Sequence, residues 1–212
     1  MDIVEEPQVF PFVLTCVLTF VLMAMTYGMT YLLHLPTTRA DDLYWYLTRA
    51  AAFIAYALLT LTVMLGVSSS SALWDRWRAR RLMTQLHQFT SLMVLPFLVL
   101  HLWALHQDTS VPFPWPAVFV PFEASYRPFA TGLGVLSLFT VLILWITSFL
   151  RAKLGTRTWR AIHFLSFPTY LAVTLHGLLS GSDSGAVWAR WLYLLPLVVI
   201  VLLSFQRLRA RR

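Results

Sequence analysis

Six apolar runs, each close to the roughly 20 residues that carry an α-helix across a hydrocarbon core, dominate this 212-residue chain. They are Val9–Leu33, Tyr44–Val67, Leu82–Leu105, Phe129–Leu150, Trp159–Leu179 and Trp188–Phe205. Lipid offers the backbone no hydrogen-bonding partner. Runs this long without period-two alternation satisfy their own peptide groups only as helices. The expected fold class is all-α integral membrane, a six-transmembrane-helix bundle in which residues 1–212 form a single domain. Composition agrees, with 58% hydrophobic and 12% charged residues, where a soluble domain carries roughly 25% charged. It also excludes a disordered chain and a nucleic-acid partner, so the formal charge of +7 needs another explanation.

That explanation is topology. Arg76, Arg78, Arg80 and Arg81 lie between runs two and three, Arg151, Lys153, Arg157 and Arg160 between four and five, and Arg207, Arg209, Arg211 and Arg212 after six. The opposite side receives only Arg39, Arg127 and Arg190, with Arg49 at a helix end. The positive-inside rule then places both termini in the cytoplasm of a multi-pass protein of the cell membrane. Asp2, Glu5 and Glu6 at the N-terminus weigh little in that rule. No basic leader or small-residue cleavage site frames the first run, so it is expected to be retained as a helix. The long connection His106–Pro128 carries five prolines among aromatics, a density expected to exclude regular helix. Two readings of it stay open: an amphipathic flap over the outer mouth, or a connector resting in the interface.

Ionisable side chains inside a membrane helix are costly and point to function. Helix three carries His87 and His101, fourteen residues apart, and helix five carries His163 and His176, thirteen apart; neither contains Asp or Glu. At 1.5 Å per residue the spacings are about 21 and 20 Å. The two helices run in the same direction, so His87 and His163 share the cytoplasmic half and His101 and His176 the outer half. Two facing imidazoles at one level supply the two axial positions of a low-spin haem iron, and two levels give two stacked haems. Zinc wants four ligands about one ion and fits poorly, and a proton relay would use carboxylates. Cys16 is the single cysteine, which excludes covalent CxxCH haem attachment and cysteine-ligated clusters. One angle does not close: thirteen steps of about 100° leave His176 about 140° from His163 on an ideal helix. Pro168 lies between them and offers a place for a kink.

His34 and His106 lack partners at their depths and read as interfacial. Arg49 is placed near the level of His101, where it either pairs with a haem propionate or snorkels to lipid headgroups. Gly66, Gly132, Gly134 and Gly177 mark points where a helix or a porphyrin could approach closely.

The segment Leu154–Asp183, LGTRTWRAIHFLSFPTYLAVTLHGLLSGSD, resembles the ferric reductase-like transmembrane domain family. The resemblance rests on WRAIH with His163, the HG step at His176, the pair His87 and His101, and the VPFEASYRP stretch. It implies two non-covalent b-type haems with bis-histidine ligation and electrons passing from the cytoplasmic side to an outer acceptor. Ferric reductases and NADPH oxidases in the broader group continue into flavin and nicotinamide domains. This sequence ends at Arg212 with no GxGxxG fingerprint, so a flavin or nicotinamide domain is not expected. The expected partners are membrane lipid, a separate electron donor (a flavoprotein or quinol) and an outer-side acceptor, with the chain acting as the membrane component of an oxidoreductase. A second reading stays open, a structural or haem-carrying subunit of a larger respiratory or photosynthetic complex that catalyses nothing itself.

Overall fold

A computed structural model of the chain describes residues 9–69, 74 and 78–209; the basic residues Arg76, Arg211 and Arg212 and the acidic N-terminal residues lie outside them. The described residues are mostly helical, without strands: α1 (Val9–Leu32), α2 (Thr37–Ser69), α3 (Arg80–Gln107), α4 (Trp115–Phe119), α5 (Pro128–Phe149), α6 (Arg151–Leu154), α7 (Thr156–His163), α8 (Ser166–Ser180) and α9 (Val187–Arg209). Six spans are long and apolar enough to cross a membrane: α1, α2, α3, α5, the α7–α8 pair and α9. Large apolar side chains such as Phe20 and Met25 on α1, 69% and 67% exposed, are solvated by acyl chains in such a protein.

Residues Met1–Phe113 form one compact unit and Pro114–Arg212 another. In the first, α3 packs along the length of α2 and also meets α1. The seam closes over small or slim residues, with Ala51, Leu100 and Ala104 buried. The Tyr44 hydroxyl lies 3.0 Å from that of Thr30 and ties α2 to α1, while its ring meets Trp103 of α3 edge-on at 5.6 Å. Thr62 of α2 and Thr90 of α3 join their hydroxyls at 2.8 Å in the buried seam. In the second unit α5 packs against α8, and α8 against α9. Tyr170 and Thr174 on α8 are its largest fully buried side chains.

Three departures from the sequence reading have local causes. The second helix begins at Thr37, directly after Pro36, and not at Tyr44. Its 33 residues make about 50 Å, longer than the roughly 30 Å hydrocarbon core, and its polar first turns, TTRADD, need no apolar surface there. The proline-rich connection does hold a turn of helix, α4, contrary to the expectation from proline density. Pro116 falls in its first turn, where a missing N–H costs nothing, and Pro114 precedes it with extended backbone.

The fifth span is interrupted. At Phe164–Leu165 the chain tightens, Leu165 N–H bonding the Ile162 carbonyl at 2.9 Å and Phe167 N–H the Phe164 carbonyl at 3.2 Å. Both are three-residue steps, and Pro168 is the residue whose absent N–H would have taken the Phe164 carbonyl in a regular α-helix. Two residues wound at about 120° in place of 100° bring His176 about 40° nearer the face of His163.

Removing the hydroxyl pair at the α2–α3 seam gives a test of that packing. Thr90→Val should destabilise the protein in detergent by about 0.6 kcal/mol and by no more than about 1.7, read as a lowered thermal midpoint.

Candidate functional site

The first unit holds His87 and His101 on α3, both half-buried. His87 Nδ1 lies 2.7 Å from the Thr62 carbonyl oxygen and His101 Nδ1 lies 3.1 Å from that of Thr48, both acceptors belonging to α2. A carbonyl only accepts, so Nδ1 carries the proton in each ring and Nε2 carries the lone pair. The acceptors are fourteen residues apart, as are the histidines, in opposite chain order. That is the register of two antiparallel helices in continuous contact.

Helical carbonyls already accept the N–H four residues on, so an imidazole must reach the second lone pair from the side. The side chain at that fourth position would stand in the way. After Thr62 it is Gly66, where an added Cβ would lie 3.0 Å from His87 Cε1 and 3.1 Å from its Nδ1. After Thr48 it is Ala52, the next smallest choice.

The second unit repeats the device. His176 on α8 places Nδ1 2.8 Å from the Ala130 carbonyl oxygen of α5. Four residues on stands Gly134, where a Cβ would meet His176 Cε1 and Nδ1 at 2.8 Å. The end of α8 just beyond is closed by the connection that precedes α5: Tyr126 donates its hydroxyl to the Ser180 carbonyl at 3.2 Å, and Arg127 donates a guanidinium N–H to the Leu179 carbonyl. These are carbonyls that a helix terminus leaves without intrahelical partners. Phe122 of the same connection lies against Gly132, and Tyr193 of α9 against Gly177, so those two glycines make room for aromatic rings. His163 is held differently. It ends α7, and its ring stacks on Trp159 one turn earlier, 4.9 Å between centroids at 25°, with the Arg151 guanidinium 4.4 Å from the Trp159 ring.

Arg49 lies well inside α2, not at its start, and follows Thr48, which places it at the His101 level of this helix pair. Its guanidinium lies over the Trp45 ring at 4.0 Å. Beside it the buried Thr48 hydroxyl has no hydrogen-bond partner. An unmatched buried hydroxyl costs about 1–3 kcal/mol, so a polar group from outside the chain would be stabilised there. His34 sits exposed in the turn after α1, and His106 closes the end of α3 by donating Nδ1–H to the Phe113 carbonyl at 2.9 Å.

Among the described residues no three His, Cys, Asp or Glu side chains converge as a metal-binding group. The donor set is instead imidazoles, three of them tied at Nδ1 to main-chain carbonyls, which is how metal-ligating histidines are commonly oriented and made more basic. This donor set suits an axially ligated haem, whose macrocycle supplies the other four nitrogens. Sequence reasoning found the four histidines but not the carbonyls, Trp159, or the clamp by Tyr126 and Arg127. The available signals were the fourteen-residue spacing of Thr48 and Thr62 and the four-residue step from Trp159 to His163.

A family model described as "Ferric reductase like transmembrane component" matches residues 51–174. The match contains His87, His101 and His163 and stops two residues before His176. Comparison with curated proteins and with solved structures finds no match.

If stacking on Trp159 orients His163, Trp159→Ala should cost about 0.5–1.5 kcal/mol beyond the lost area. Trp159→Phe should keep most of that, and thermal midpoints of the two variants in one detergent make the comparison.

Proposed function

We propose, on the premise that this chain belongs to the ferric reductase-like transmembrane family, that it is a conduit holding two b-type haems and passing electrons across the cell membrane. Members of that family typically bind haem. The observation that carries the reading is the set of Nδ1–carbonyl bonds of His87, His101 and His176, which leave Nε2 as the basic nitrogen of each ring. Haem iron, when bound, supplies a one-electron carrier whose potential follows axial ligation, hydrogen bonding and burial.

In this reading His87 and His163 serve the inner haem and His101 and His176 the outer one. The pairing is supported by the near-equal spacing of the histidines along two spans that run in the same direction. The carbonyl bonds hold three of the rings against rotation and raise the basicity of Nε2. The Thr48 hydroxyl and the Arg49 guanidinium suit a propionate at the outer level, a charge-assisted contact. Apolar spans around the histidines exclude water and screening ions. In this scheme electrons arrive from a flavoprotein or quinol at the cytoplasmic side and leave to an acceptor outside. Both termini face the cytoplasm in this scheme, with the 106–128 connection outside.

A dithionite-reduced minus oxidised spectrum with pyridine haemochromogen quantification should give two b-type haems per purified chain. His101→Ala should lower that to one; retention of two full haems would refute the pairing. For orientation, a membrane-impermeant thiol reagent added to intact cells should label Ser125→Cys and spare Lys153→Cys in a Cys16→Ala background, and the reverse pattern would invert the topology.

A further inference from the structure

We infer that Gly66 and Gly134 are positioning residues, one for each haem, that set the ring planes of His87 and His176. The inference rests on the two-haem reading for the haem each serves, whereas the steric part stands on the protein alone. Around these sites the two helix pairs share, besides the pattern itself, a leucine before each glycine (Leu65, Leu133) and before each histidine (Leu86, Leu175): Thr62 and Gly66 lie under His87, Ala130 and Gly134 under His176. In both, the carbonyl that accepts Nδ1–H and the glycine that exposes it are one turn apart on the same helix. In both, the atoms a Cβ would meet are Cε1 and Nδ1 of that imidazole, at 3.0 and 3.1 Å over Gly66 and at 2.8 Å over Gly134.

An imidazole tied at Nδ1 and at Nε2 keeps one principal freedom, rotation about the line joining those bonds. A methyl group beneath the Cε1 edge forces that rotation or lengthens the carbonyl bond. The space left at each glycine is therefore matched to a flat ring lying against a helix backbone. His87 and His176 fall at different levels of the proposed pairing, so each haem has one ligand of this kind. Gly28 on α1 serves as the contrast, because a Cβ there has nothing within 4 Å.

The test compares Gly66→Ala, Gly134→Ala and Gly28→Ala in the full chain, reading haem per chain and the low-spin electron paramagnetic resonance g-values, which report the relative angle of the two axial ring planes. The haem signal that His163→Ala removes identifies the inner site. Gly66→Ala should displace or remove that signal, Gly134→Ala the other, with affinity at the affected site falling about ten- to hundredfold and the larger effect at Gly134. Gly28→Ala should match the parent protein. If both site variants match Gly28→Ala the inference fails, and if both disturb the same haem the assignment of one glycine to each haem fails.

A second comparison serves where Gly134→Ala does not fold. His176→Ala and the double variant His176→Ala with Gly134→Ala should melt alike, because the ring that needs the space is gone. A lower midpoint for the double variant would show that Gly134 serves some other contact. A parent protein without haem would refute the proposed function, while this melting comparison would still decide whether the glycine makes room for the ring.

Discussion

An imidazole in a membrane helix must place its N–H on some acceptor, and the bilayer core supplies none. In this chain the acceptor for three histidines is a main-chain carbonyl of the adjacent helix, at 2.7 to 3.1 Å. Much else follows from that bond. It requires two helices close enough for a ring to reach a carbonyl already engaged in its own ladder, hence small residues at the contact. It requires the register to repeat, hence fourteen residues between histidines on α3 and fourteen between acceptors on α2. It also selects the tautomer that leaves the lone pair on Nε2.

Threonine hydroxyls along the spans return to carbonyls of their own helix three or four residues back, as at Thr15, Thr26, Thr62, Thr90, Thr140, Thr169 and Thr174. They add polarity without leaving a hydroxyl unmet in lipid. Thr48, with its buried hydroxyl lacking a partner, departs from that habit next to the His101 acceptor and Arg49. A departure of this kind beside a candidate ligand is where a polar edge of a bound group would be accommodated.

His163 stands apart from the other three. The stack of Arg151 on Trp159 on His163 uses ring faces and a guanidinium where the others use a carbonyl. It lies immediately before the tightened turn at Phe164–Leu165, so the last turn of α7 and the first of α8 are separately oriented. That break lets one span carry two histidines thirteen residues apart with less angular mismatch than a continuous helix would impose.

The six spans, the four histidines on two of them without Asp or Glu beside them and the family resemblance were legible in the sequence, because hydropathy and residue type act locally and lipid punishes exceptions. The start of α2 was less legible, since a helix continuing into water carries no apolar signature. The turn of helix at Trp115–Phe119 is not visible in proline content alone, because it depends on where in the helix each proline falls. Which carbonyl receives each imidazole, which glycine lies beneath which ring, and where Arg49 rests are decided by the axial register and approach distance of neighbouring helices. Those quantities come from side-chain packing between segments tens of residues apart, and no periodicity within a single helix encodes them.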